Sequence, residues 1–217
     1  MCAQAGTITF DDLPALPAVD GAAALTDANG GSPTIAGVTF VGGVSVIGDA
    51  YRVDIVTPGP TFGIPHSGHF FITNHSGTDN IQLLTTQTLL GAWFGQNEYY
   101  GFGGGADQVT VTAFGSGGDL ASVVLDLPNN FPGLPEPLSF MDTIAFAGLA
   151  GITGYRIDRH EIVELTGNWV ADDFVFLSSA VPEPGSWLLA AVAAALLGAE
   201  TNIRRGARWR VKLCGLR

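Results

Sequence analysis

The stretch QVTVTAFGSGGDLASVVLDL, residues 108–127, decides the fold. Alternation places Val109, Val111 and Ala113 on one side of its first half and Val123, Leu125 and Leu127 on one side of its second. That period of two belongs to strands with one buried face. Between the halves, GSGGD is turn chemistry: glycine takes left-handed dihedrals cheaply and Asp and Ser bond to their own backbone.

The same rhythm runs outward in both directions. In TITF (7–10), Ile8 and Phe10 share a face, and further strand candidates occupy 34–41, 51–56, 69–74, 81–94 with a bend, 142–149, 154–158 and 169–177. Clusters such as DANGGSP, VTPGP, HSGTDN, GFGGGAD and LPNNFPGLPEP separate them. No window of ordinary helical length before residue 185 carries a 3.6 period. About ten short strands at regular spacing predict an all-β, antiparallel, jelly-roll-like sandwich over residues 7–178. GFGGG and GSGG open no helix and match neither the dinucleotide nor the phosphate-loop pattern, so they read as loops.

Charge is distributed unevenly. Residues 1–180 hold only Arg52, Arg156 and Arg159 against eighteen acidic residues, a balance of −15, while Arg204, Arg205, Arg208, Arg210, Lys212 and Arg217 against Glu183 and Glu200 bring the whole chain to −11. An acidic body repels phosphate backbones, which argues against a nucleic-acid partner. Cys2 and Cys214 lie at opposite ends and support no disulfide framework. Residues 1–6, MCAQAG, lack the charged and apolar regions of a signal peptide. Ala3-Gln4-Ala5 has the small-x-small form of a cleavage site, so two readings stand: the end of a longer export segment, or a short disordered start.

Near the other end, Trp187 to Ala199 is an uncharged run of thirteen residues, within the nineteen that run from Gly185 to Ile203. As a helix the nineteen residues from Gly185 through Ile203, both included, are about 28 Å long, enough to span a bilayer if Glu200, Thr201 and Asn202 sit among head groups. Pro182 and Pro184 set a stiff boundary before it, and the arginines after it stay on the cytoplasmic side. Val181-Pro182-Glu183-Pro184, the apolar helix and Arg204-Arg205, in that order over 179–205, resemble the PEP-CTERM sorting signal of Gram-negative bacteria that make exopolysaccharide. The resemblance implies an exported protein held transiently in the inner membrane by this helix. An exosortase would cut near Pro-Glu-Pro and pass the body to the cell surface or extracellular matrix. Residues 206–217 form a basic cytoplasmic tail on this reading. In rhythm, the body resembles jelly-roll galactose-binding-like modules.

Candidate sites follow from residue chemistry. If the first and last strands pair with Phe10 facing Phe174, Asp11 falls opposite Asp173 and Asp12 opposite Asp172. Opposed like charges destabilise a ladder, and a hard cation such as Ca²⁺ would reverse that. The resembled modules imply such a structural calcium near their termini. GAWFGQNEYYGF (91–102) combines Trp93, Tyr99 and Tyr100 with Gln96, Asn97 and Glu98 in one apparent loop. Flat apolar rings beside bidentate polar groups are what a polysaccharide needs.

His66, His69 and His75 lack a scaffold for zinc, and HEIVE (160–164) places Glu164 where a zincin has its second histidine. Glu98, Glu161 and Glu164 offer carboxylates for glycoside chemistry, but nothing selects a pair. The sequence thus predicts a non-catalytic binding or structural component of an exopolysaccharide matrix. The alternative is a small polysaccharide-active hydrolase or lyase on the same scaffold.

Overall fold

The computed structural model describes residues 4–13, 16–25, 32–51, 62–74, 80–97, 105–128, 136–160 and 168–178. Residues 179–205, read above as a sorting signal, residues 206–217, Cys2, His75, Glu98, Tyr99, Tyr100, Glu161 and Glu164 lie outside these residues. Among the described residues no helix is long and apolar enough to cross a membrane.

The chain forms a two-sheet antiparallel sandwich of thirteen described strands. In order they are β1 (Gln4–Ile8), β2 (Ala22–Ala24), β3 (Thr34–Ile35), β4 (Val38–Val41), β5 (Val44–Gly48), β6 (Phe70–Asn74) and β7 (Ile81–Leu84). Then come β8 (Thr88–Gln96), β9 (Gln108–Gly115), β10 (Gly118–Asp126), β11 (Ser139–Asp142), β12 (Ile152–His160) and β13 (Trp169–Ser178). One sheet runs β11-β8-β13-β6-β5-β2 with β1 added against β13; the other runs β10-β9-β12-β7-β4-β3. The deciding stretch is the β9–β10 hairpin, which turns at Ser116-Gly117, and Val109, Val111 and Ala113 point into the core as their alternation predicts.

Between the sheets four phenylalanines meet edge to face. Phe174 lies 6.1 Å from Phe10, 6.3 Å from Phe40 and 5.9 Å from Phe94, ring centre to ring centre. This geometry sets positive ring edges against negative faces. At the lower margin of the core the Tyr155 hydroxyl accepts from the Leu89 N–H at 2.8 Å and donates to the Gln87 carbonyl at 2.9 Å. Burial pushes its pKa up.

Three departures from the sequence reading have physical causes. Residues 142–149 hold a 3-10 turn, Ile144–Phe146, because Asp142 accepts the Ile144 N–H at 2.8 Å and only Phe146 reaches the core. Strand β5 escapes detection because VSVIG is buried on both faces and shows no alternation. Finally, β1 pairs antiparallel with β13, but Ile8 rather than Phe10 stands opposite Phe174. The chain has left the ladder before Phe10, which turns into the core, so Asp11 and Asp12 are not the cross-strand partners of Asp173 and Asp172.

Strand β13 positions the site. Along one edge it pairs with β8; the other edge is shared by β1, against Phe174 to Ser178, and β6, against Val170 and Ala171. Asp172 and Asp173 fall in the gap between these two partners. The ladder to β8 is bulged there, and Asp173 has φ of +46°. A bulge bends a strand and re-aims its side chains.

Candidate functional site

The seven-stranded sheet is covered on its outer face as well. Ile47, Phe71, Leu138 and Val170 form a second apolar cluster there, with Tyr51, Phe62 and Trp93 packed against it. These residues alternate with core residues on β5, β6 and β13, so the central strands are buried on both sides. Two segments contribute to the cover, 62–69 and 136–140, and they meet at a parallel bridge between Ile64 and Pro137.

The first of these segments is clamped by the two acids of the bulge. Asp172 Oδ2 accepts the backbone N–H groups of His66 at 2.9 Å and Ser67 at 3.0 Å, while Oδ1 accepts the N–H of Asp173 at 2.8 Å. Asp173 binds the same turn through side chains: Oδ2 lies 2.6 Å from His66 Nδ1, and Oδ1 accepts from Ser67 Oγ at 2.9 Å. From the other side Asp11 Oδ1 accepts the His69 N–H at 2.7 Å. Between them Gly68 sits at φ +56°, and a Cβ there would run into the Asp11 carboxylate. Only glycine meets both conditions.

Electrostatics follow from burial. Asp172 is fully buried, and its pKa is pushed up to about 6, first by desolvation and then by the charge of Asp173, against the opposing pull of its N–H donors. Its neutral form is therefore favoured in the folded chain relative to the unfolded one. The sign follows: this group's contribution to stability is fully present below the ordinary carboxylate range and is lost as pH rises toward 6. The melting temperature should accordingly fall between about pH 4 and 6 by more in the wild type than in Asp172→Asn, a difference that thermal melts across that range will read. The exposed His69 Nδ1 lies 2.8 Å from Asp49 Oδ2, and this hydrogen bond and the charge of Asp49 raise its pKa.

An aromatic ledge adjoins the clamp. His66 stacks on Trp93 with ring centres 3.6 Å apart and planes 11° from parallel, and Phe140 stands 5.2 Å from Trp93 on β11. Phe140 lies over the bare backbone of Gly91, where a Cβ would collide with its ring, and is 44% exposed. Nearby Ile64 is 38% exposed. The ledge thus offers apolar surface beside a histidine whose orientation is fixed by Asp173.

The predicted site residues divide among these surroundings. Trp93 belongs to the ledge, but the segment read as one loop is strand through Gln96, and alternation on β8 sends Trp93 outward and Phe94 and Gln96 inward. Gln96 is buried, with neither side-chain polar atom hydrogen-bonded among the described residues. Asn97 is buried too and donates to Thr73 Oγ1 at 3.0 Å, which in turn donates to the Trp169 carbonyl at 2.7 Å. The structure therefore separates Trp93 from Gln96 and Asn97.

Of the four aspartates read as calcium ligands, Asp172 and Asp173 hold the 66–67 turn, Asp11 holds His69, and the exposed Asp12 accepts from Thr9 Oγ1 at 3.4 Å. Among the described residues no three His, Cys, Asp or Glu side chains converge as metal ligands. Sequence reasoning missed His66, Ser67 and Phe140 as one constellation. The available signal was Asp172-Asp173 inside the apolar run WVADDFVF, since adjacent acids in a central strand must find donors.

The sequence matches no protein-family model and no curated protein. Among solved structures it is similar to the crystal structure of a DUF4465 family protein from Bacteroides caccae, with a TM-score of 0.53, 13% identity, and coverage of 81% of this chain and all of that one. At that identity the likeness is one of fold: an all-β, two-sheet antiparallel sandwich.

Proposed function

We propose that the chain is an exported, surface-destined β-sandwich of jelly-roll type that binds extracellular polysaccharide without turning it over. The observation that carries this reading is the ledge of Phe140, Trp93 and His66, solvent-accessible and braced from beneath by two buried acids. A pyranose ring packs on exposed aromatic carbon while its hydroxyls seek fixed polar groups. With Nδ1 held by Asp173, the His66 ring presents Nε2 to such a hydroxyl. Asp172, the carboxyl with the raised pKa, has both oxygens occupied by backbone N–H groups, which supports a holding role over a catalytic one.

The tail supplies the address in this proposal: Val181, Pro182, Glu183 and Pro184, the apolar helix, and Arg204 and Arg205 are read by an exosortase while the helix sits in the inner membrane. Calcium would reach Asp172 and Asp173 in competition with the donors they hold. The same melting temperature in calcium and in chelator is therefore expected, and a calcium-dependent rise would favour the metal reading instead.

The proposal is tested by electrophoresis of the chain through gels containing soluble polysaccharides, with reducing ends and unsaturated products assayed in parallel. Retardation by one class of polysaccharide, without product, is the expected result. Product release would instead establish the hydrolase or lyase, and absence of both would leave a structural matrix protein.

A further inference from the structure

Beside β1, whose five residues pair among the described residues only with β13, four strands end the two sheets, and three of them are too short to recruit a partner: β3 has two residues, β2 three and β11 four. The fourth, β10, has nine residues and is hydrogen-bonded, among the described residues, only to β9. Proteins ordinarily guard such an edge with lysine, proline, inward charges or bulges. Strand β10 has no basic residue and no proline.

Its two acids are already engaged within the sheet, Asp119 by Arg156 at 3.2 Å and Asp126 by Gln108 Nε2 at 2.7 Å. One bulge lies at the hairpin end, between Asp119 and Ala121, and leaves residues 121–126 in regular register with β9. Along this regular part Ala121, Val123 and Leu125 are only partly buried against the core, while Val124 is 52% exposed on the other face. The 3-10 turn that carries Ile144, 59% exposed, lies against the same strand.

We infer that β10 is a self-association edge, pairing antiparallel with β10 of a second copy about a two-fold axis at Val123. The register is self-complementary. Val123 meets the second copy's Val123, Ala121 meets its Leu125, and Ser122 meets its Val124, so the half-buried row becomes a continuous apolar seam. Asp126 stands opposite the second copy's Leu120, and no acid faces an acid. Of the registers about a two-fold axis this one alone pairs Ala121, Val123 and Leu125 wholly among themselves, and axes at Asp119 or Asp126 would set acid on acid, which a chain of net charge −11 would resist. An isologous contact of this kind closes at two copies and leaves no free β10 edge for further growth.

The test is sedimentation velocity of the full chain in a non-ionic detergent, on the wild type and two double variants. Ser122→Lys with Val124→Lys sets the introduced lysines against each other twice across the axis; Ser122→Lys with Val124→Glu sets opposite charges there instead. Ser122 and Val124 both lie on the exposed face; the 2.9 Å hydrogen bond between Ser122 Oγ and Thr112 Oγ1 is lost in both variants alike, and melting temperatures confirm that the fold is kept. The expected result is a wild-type dimer, weakened at least about tenfold by the lysine pair and restored by the lysine–glutamate pair. A monomeric wild type overturns the inference, as does a dimer indifferent to the lysine pair, which would place association elsewhere, the apolar tail included.

Discussion

Asp172→Ala is expected to cost the body about 3–5 kcal/mol of stability, the range found when one partner of a buried charged network is removed. The carboxylate accepts three backbone N–H groups, from His66, Ser67 and Asp173, in a place without exposed surface. Alanine leaves those donors without an acceptor, and each unsatisfied buried group costs about 1–3 kcal/mol unless the turn swings out to water. The turn's release would also free His66 from Trp93, so the loss should register in tryptophan fluorescence as well as in the denaturation midpoint. Asp172→Asn keeps the acceptor Oδ1 and should fall between. Equal midpoints for the wild type and the alanine variant would show that the clamp carries no weight.

Phe174→Ala should cost about 3–5 kcal/mol as well, through a different mechanism. Phe174 is fully buried and stands edge to face with Phe40 on β4, Phe94 on β8 and Phe10 just beyond β1. Its removal deletes the ring's transfer energy and leaves a cavity that four elements must close together. Phe140→Ala is the contrasting control: at 44% exposure over Gly91 it should lower stability by about 1 kcal/mol or less. Urea denaturation of the two variants side by side distinguishes a core ring from a surface one.

Much of this architecture is legible in the residues because its strands alternate. Val109, Val111 and Ala113 announce a half-buried strand, and GSGGD announces its turn. What was not legible has the opposite character. Strand β5 is buried on both faces, so its sequence carries no period. The pairing of first and last strands was readable, but its register was not, since Ile8 and Phe10 both fit the inward face and only the bulge at Asp172 decides between them. The Asp-Asp pair was visible as an anomaly, and two chemistries resolve such an anomaly: a cation, or a ring of N–H donors. The donors came from His66 and Ser67, more than a hundred residues away in the chain, and no local pattern reports them. For the same reason Phe140 could not be placed beside Trp93 until β11 was laid on β8.

The ledge is the part of the molecule on which function rests, and one comparison addresses it without disturbing the fold. Isothermal titration of the wild type and Phe140→Ala with the polysaccharide that retards the wild type in gels measures the contribution of the exposed ring. Binding is expected to be at least about tenfold weaker in the variant, as loss of about 1.5 kcal/mol of aromatic contact requires, with the melting temperature lowered by no more than about 4 °C. Equal affinity in the two proteins would contradict this expectation and move the binding surface away from this face.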